Sequence, residues 1–312
     1  MRVLIIGAGM SGLTAARLLI DAGHDVVVLD KGRAVGGRMA SKRIGAARFD
    51  HGAQHFSVRT SEFGRAVDAW ISNGVVDVWY EGESLTHPER GMERRHRGVP
   101  AMRSICEHLA EGLDVRTGVR IAHVTSDPAA VTDNGETLET DVVIVTAPIP
   151  QTLEMIEQLD VDESILDTLG EIAYQPTIAV MAIMESHLGL DDGHVAGSGG
   201  NIAWIADNQH KGVSSVPAIT IHSTGDYARE HLEDDVSHWL GDLLPEAERL
   251  TGGVVTSATA HRWRYSMPVN PLEDGFLQLT DDVYCAGEAL SYARVEGAFL
   301  SGRAVGMAVA GR

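Results

Sequence analysis

The sequence predicts an α/β protein: a parallel sheet built from βαβ units, interrupted by an inserted second domain on a mixed or antiparallel sheet. Three observations predict it. An apolar run, "VLII" at residues 3–6, leads at once into spaced glycines, a helical pattern and a second apolar run, "DVVVLD" at 25–30. Continuous apolar runs mark strands buried on both faces of a parallel sheet. Two more runs, "DVVIVTAP" at 141–148 and "VYCA" at 283–286, return far along the chain, so one sheet collects strands from distant segments. Between them, residues 151–279 alternate strand and helix patterns without a second set of spaced glycines. At 312 residues two intimately joined domains are expected.

Composition narrows the class. The hydrophobic share, 44%, is ordinary for a globular chain, and no segment supplies the roughly 20 apolar residues of a membrane helix. The opening "MRVLIIGAGMSGLTAARLL" resembles a signal peptide only superficially. Glycines interrupt it, Arg17 sits inside it, and no cleavage site follows. A cytoplasmic location is expected. Cys106 and Cys285 form no CxxC pair, which argues against a thiol redox centre or a cysteine zinc site, and no metal is expected. Each reads as a small buried apolar residue. A net charge of −19 argues against nucleic acid as partner and obliges any anionic substrate to find local arginines. Lysine occurs only at Lys31, Lys42 and Lys211.

The first element is thus a strand at 3–6. Gly7-Ala8-Gly9-Met10-Ser11-Gly12 follows, then a helix over Leu13–Ala22 that Gly23 ends. Strand 25–30 closes the unit with Asp30, eighteen residues after Gly12. This is the dinucleotide fingerprint of a Rossmann-type domain in its proper context. Gly7 permits the tight turn, Gly9 lets pyrophosphate approach the backbone, and Gly12 lets helix and strand pack closely. The phosphates sit on the helix N-terminus, with the Met10 and Ser11 amides. Asp30 is placed to accept from a ribose.

A second glycine pair then appears, in "DKGRAVGGRMAS" at 30–41. This stretch resembles the extended motif of FAD-binding amine oxidases and glutathione-reductase-like flavoproteins. The resemblance implies FAD, with Lys31, Gly36, Gly37 and Arg38 continuing the wrap around pyrophosphate and ribityl chain. Gly36 and Gly37 offer approach without a Cβ, and Arg38 a planar donor fork for phosphate.

Next comes "FDHGAQHF" at 49–56, the segment expected to leave the cofactor wrap and pass the flavin with His51, Gln54 and His55. An amphipathic helix is expected over "TSEFGRAVDAWISNG" and strands over "VVDVWYEGES", residues 75–84. The basic run Arg94–Arg97 reads as a solvated hairpin face, or as a positive field for an anionic substrate. Pro100 is expected to open a helix through Leu109. "DVRTGVRIAHV" supplies strands that, by the resemblance, bring a backbone contact from Val119 to the adenine. Strand 141–148 ends at Ala147-Pro148, where the chain leaves the cofactor domain. "PTIAVMAIME" and "PAITIHST" read as strands, and "YAREHLEDDVSHWLGDLL" as one acidic amphipathic helix. "GGNIAWIADNQHKGV" reads as a strand entering a polar loop. Finally "VYCAGEALSYARVEGAFLSGRAVGMAV" delivers Gly287-Glu288 from a strand and opens the last helix at Val295-Glu296-Gly297-Ala298. In the resembling family this arrangement closes the flavin site, helix amides stabilising the charge that grows on reduction.

"FDHGAQHF", "WIADNQHK", "HSTGDYAREHLED" and "HRWRYSMP" together resemble the renalase family, its bacterial members above all, over most of the chain. The fold implied is of the p-hydroxybenzoate-hydroxylase and amine-oxidase kind. Residues 1–56, 98–150 and 280–312 would form the FAD-binding domain, and 57–97 and 151–279 the substrate domain. The resemblance also implies non-covalent FAD and oxidation of dihydronicotinamide isomers reduced at ring position 2 or 6. Hydride passes to flavin N5, and electrons to O2, giving H2O2. Such a transfer needs orientation more than acid–base chemistry. Trp204, His222, Trp263, Tyr265 and Tyr292 are candidates for an aromatic wall, Gln54 and Asn208 for a carboxamide, and Arg264 for a phosphate or amide oxygen. His222 is equally a core histidine. Alternation along "HRWRY" turns either Trp263 and Tyr265 or Arg262 and Arg264 inward, and the aromatic set is preferred. Rival readings are an amine oxidase, for which Lys31 and Lys42 lie at the nucleotide end and Lys211 is poorly placed, or a desaturase-like oxidoreductase, then a flavin-dependent isomerase and an FAD-holding binding protein.

Overall fold

The computed structural model describes residues 1–83, 89, 91–197 and 199–312. Within them a six-stranded sheet runs in the spatial order Phe276–Gln278, Val283–Ala286, Val142–Val145, Arg2–Ile6, Asp25–Asp30, Asp114–Thr117. The edge strand Phe276–Gln278 is antiparallel to its neighbour and the remaining pairs are parallel. Alternation splits the first strand between two cores. Val3 and Ile5 face helices Met10–Asp21 and Val295–Ala310, while Leu4 and Ile6 face Ile149–Ile156 and Glu163–Gly170. Cys106 and Cys285 are free and fully buried.

The second domain is a five-stranded antiparallel sheet in the order His194–Ala196, Ile202–Asp207, Ala218–Ser223, Tyr174–Met184, Val255–Pro268. Helix Val236–Thr251 covers one face, burying Trp239, Leu243 and Ala247 against Ile178, Val180 and Ile221. Met181 and Ala218 meet Ala47 and Phe49 of the strand Ala47–Asp50.

The expected domain division cuts through these cores. Phe63, Val67 and Trp70 of helix Ser61–Ser72 pack with Val3 and Leu13. Ile149, Ile156 and Leu169 pack beneath the six-stranded sheet, which Phe276–Gln278 also joins. An amphipathic helix reads the same whichever sheet it covers. The acidic helix expected over 227–244 is two helices, Gly225–Glu230 and Val236–Thr251, because Asp235 caps the second through the His238 N–H at 2.9 Å. The helix expected from Pro100 begins at Arg103, after a turn in which the Ser104 N–H donates to Ala101 O at 3.0 Å. Strand Val76–Glu83 matches its expectation up to Ser84, which lies outside the described residues. The basic run is not a solvated face throughout. Arg95 and His96 are buried, with His96 stacked on Phe56 at 5.3 Å.

The two domains are clasped at Asp50. Its Oδ2 accepts from Lys211 Nζ at 2.8 Å, both side chains being fully buried. Its Oδ1 accepts from Ser41 Oγ at 2.6 Å and the Met102 N–H at 3.0 Å. Its backbone N–H donates to Asn208 Oδ1 at 3.2 Å, and its carbonyl accepts from Gln54 Nε2 at 2.6 Å and Thr220 Oγ1 at 2.9 Å. Burial lowers the Lys211 pKa, and the Asp50 carboxylate works against that. Replacing Lys211 with Met leaves a carboxylate buried without its cation, which costs about 3–5 kcal/mol. A urea unfolding curve of Lys211→Met should show that loss. Unchanged stability would remove the clasp from its assigned role.

Candidate active site

A cleft of about 1510 Å³ opens where the parallel strands end, between the two sheets. Ligands of α/β sheets bind at those carboxyl ends, and the volume exceeds the roughly 300–1,000 Å³ of a drug-sized site. There is room for a dinucleotide and a second molecule.

The nucleotide half follows from the glycines. A Cβ on Gly12 would lie 2.0 Å from the Gly7 carbonyl oxygen, so helix and turn touch through backbone. Gly7, at φ +116°, makes that turn. A Cβ on Gly9 would meet nothing within 4 Å, so the space over the helix N-terminus is open. Met10 and Ser11 line the cleft, and the buried Ser11 hydroxyl has no hydrogen-bond partner among the described residues. Asp30 accepts from the Ala8 N–H at 2.7 Å and the Gly32 N–H at 2.6 Å. It therefore shapes the phosphate loop, and its remaining lone pairs can accept ribose hydroxyls. Lys31 donates to Gln151 at 2.8 Å, and the Val119 N–H to Asp30 O at 3.0 Å. Both residues line the cleft with Ala147. An orphaned hydroxyl, an open helix end and a part-satisfied carboxylate fit a dinucleotide.

The middle of the cleft joins the two ends of the chain. Gly36 and Gly37 have positive φ, and Arg38 follows them. Its guanidinium, expected on phosphate, is closed instead on both oxygens of Glu288. A bidentate charge pair of this kind is strong and directional. The Gly287 N–H donates to Ser301 Oγ at 2.7 Å, which seats the loop on the last helix. Glu296 is fully buried and its carboxylate is engaged by the chain itself. Its Oε1 accepts from the Thr60 N–H at 2.7 Å and Thr60 Oγ1 at 2.8 Å, and Arg294 lies 3.4 Å from Oε2. Its side chain pins residues 59–60, and Glu296 and Ala298 both line the cleft. A Cβ on Gly297 would lie 1.9 Å from the Tyr292 carbonyl, so the loop closes onto the helix at a glycine. Tyr292 itself is not part of the cleft wall: Arg294 covers its ring at 4.5 Å.

The far half is aromatic. His261, Trp263 and Tyr265 share one side of their strand and line the cleft with His51, Trp204 and His222. Trp263 Nε1 donates to His51 O at 2.8 Å, and its ring stacks on His51 at 5.3 Å. Arg262 and Arg264 both reach Glu233, at 2.6 Å each, on the rim. Trp204 stacks on His194 at 4.5 Å, and His55 lies 5.3 Å from Trp204. Gln54 holds its Nε2 on Asp50 and Gly52 carbonyls, which leaves Oε1 without a hydrogen bond among the described residues. Asn208 is not available for a carboxamide, being fully buried with its Nδ2 on Thr220 at 2.9 Å. Lys211 lies on Asp50 outside the cleft wall. Lys42, expected at the nucleotide end, stands by the histidines instead, where its charge contributes to lowering His51 and His261.

His51 was expected by the flavin and does line the cleft, whereas His261 and His194 were not expected at the site. Period two along the strand from Trp263 points to His261. Nothing in the sequence marks His194. Burial is the main cause that lowers His51 to about 3, His55 to about 3 and His222 to about 4. Three neutral imidazoles therefore face the site at neutral pH.

Two outcomes follow. Asp30→Ala removes the acceptor of two loop amides, and FAD affinity, read by flavin fluorescence titration, should weaken about tenfold or more. The unfolded chain protonates its histidines near 6.5, whereas the folded chain holds these three neutral far below that. Their contribution is complete above about pH 6.5 and is lost as pH falls toward 4, by up to about 1.4 kcal/mol per unit per histidine. Denaturation midpoints measured across that range should fall, and less steeply in His51→Gln.

Comparison with known proteins agrees with this cleft. Residues 5–70 match the NAD(P)-binding Rossmann-like domain model, and residues 72–310 the model described as flavin containing amine oxidoreductase. Renalase of Mus musculus is 24% identical over 340 residues, covering 97% of both chains. Putrescine oxidase of Kocuria rosea is 35% identical over 96 residues, 31% of this chain and 20% of that protein. A solved structure from Exiguobacterium sp. 255-15, described as a candidate protoporphyrinogen oxidase, superposes with a TM-score of 0.77 at 13% identity. That alignment covers 99% of this chain and 98% of the other. The cofactor is FAD, and the chain is an FAD-dependent oxidoreductase that belongs to the flavin-containing amine oxidoreductase family.

Proposed function

We propose that the enzyme is an oxidase of dihydronicotinamide isomers reduced at ring position 2 or 6. The observation that carries this reading is the end-to-end match to renalase, 97% of both chains, and the aromatic half of the cleft supports it. FAD bound in the cleft supplies the hydride acceptor and, through O2, its own regeneration with release of H2O2.

The chain's residues orient and enclose. Trp263 and Trp204 offer flat faces for a pyridine ring, and the Gln54 Oε1 offers an acceptor for a carboxamide N–H. Near-attack placement of this kind supplies much of the rate when no proton leaves the reacting carbon. Loss of hydride turns the substrate ring from neutral to cationic. Imidazolium groups would oppose that charge, and His51, His55 and His222 stay neutral. The amides at the start of helix Val295–Ala310 favour negative charge on the cofactor side. Two free, buried cysteines suit a reducing compartment, and we place the enzyme in the cytoplasm.

A second reading, oxidation of a primary amine, rests on the family match and on Lys42 beside His51. Anaerobic mixing separates the two. A dihydronicotinamide isomer should bleach the flavin band at about 450 nm, and an amine panel including putrescine should leave it unchanged. Bleaching by amines alone overturns the first reading. Trp263→Ala should slow the bleaching at least about tenfold by loosening the ring's placement.

A further inference from the structure

We propose a zinc site on the outer side of the substrate domain, formed by His231, Asp234 and His238 with Asp242 beside them. These residues lie where the acidic helix breaks. The turn between Gly225–Glu230 and Val236–Thr251 folds His231 and Asp234 back over the first turn of the second helix. One ligand atom from each of His231, Asp234 and His238 lies within 4.8 Å of the others.

The spacing suits a metal. Asp234 Oδ2 is 2.8 Å from His231 Nδ1 and 3.3 Å from His238 Nε2, and Asp242 Oδ2 is 3.3 Å from His238 Nε2. Tetrahedral zinc with bonds of about 2.0–2.1 Å sets its ligand atoms roughly 3.3 Å apart. Two imidazoles and a carboxylate, with a second carboxylate near, are ligands that zinc accepts. The groups behind them are already fixed. Tyr227 OH donates to Asp242 Oδ2 at 3.0 Å, and Trp239 Nε1 donates to His231 O at 2.7 Å. The His231 ring is also held between Tyr227 at 4.6 Å and His238 at 4.9 Å. Hydrogen-bonded supports of this kind orient metal ligands.

The site has a structural consequence. Glu233 stands in the same turn and holds both Arg262 and Arg264. Those arginines alternate with Trp263 and Tyr265 along one strand and stand at the cleft rim. Zinc in the turn braces that strand through Glu233.

The test is isothermal titration of tag-free, FAD-loaded protein with zinc chloride at pH 7.5. One zinc per chain is expected. His231→Gln and His238→Gln should each weaken binding at least about tenfold, and Tyr227→Phe about tenfold through Asp242. His187→Gln, at an exposed histidine outside the turn, should change nothing. The flavin spectrum of each variant reports that it is folded. Absence of saturable uptake by the wild type overturns the site, as does equal binding by wild type and folded His238→Gln, or an equal loss in His187→Gln.

Discussion

One buried carboxylate carries the junction between the domains. Asp50 ends a strand beneath the substrate sheet and receives Lys211, Ser41 and a backbone amide on its two oxygens. An ion pair without solvent persists only when its remaining hydrogen-bonding capacity is met. Here the donors come from three segments of the chain, so the position of each is set by the same atom group. The next residues, His51 to His55, are the ones that enter the cleft. Their placement, and through the His51 carbonyl that of Trp263 and His222, descends from this clasp.

The cleft divides by chemistry along its length. At one end, amides and glycines receive a polyanion without help from the chain's overall charge, which is strongly negative. Local dipoles at a helix start act over a few ångströms, where a distant net charge is screened. At the other end, rings and neutral imidazoles surround a space where charge changes during oxidation. Burial keeps those imidazoles neutral, and it does so because the surrounding rings exclude water.

Much of this was legible in the sequence because backbone constraints leave marks in residue type. Gly7, Gly9, Gly12, Gly36 and Gly37 each record a place where a Cβ fails or a ligand approaches, and they announced both the sheet and the cofactor. The inward turn of Trp263 and Tyr265 could be reached from strand alternation. Partnerships across the chain were not legible. Arg38 looks like a phosphate ligand until Glu288, 250 residues away, is seen to occupy it. Glu296 and Tyr292 lie in the right motif, yet one side chain pins the Thr60 turn and the other is covered by Arg294. Lys211 and Asn208 read as loop residues because nothing local shows that Asp50 waits for them. The helix break at 231–235 was hidden for a similar reason: Asp235 serves as a cap only if the chain turns there.

The bridge between Arg38 and Glu288 has a bearing on biosynthesis. The strand Val283–Ala286 and the helix Val295–Ala310 complete the sheet and the cofactor wall that Arg2–Ile6 begins. A nascent polypeptide still inside the ribosome at those residues has its glycine turn formed but no opposite wall. The cofactor wall is therefore complete only once those last residues have emerged and folded back, and the early sheet edge lacks its neighbour until then.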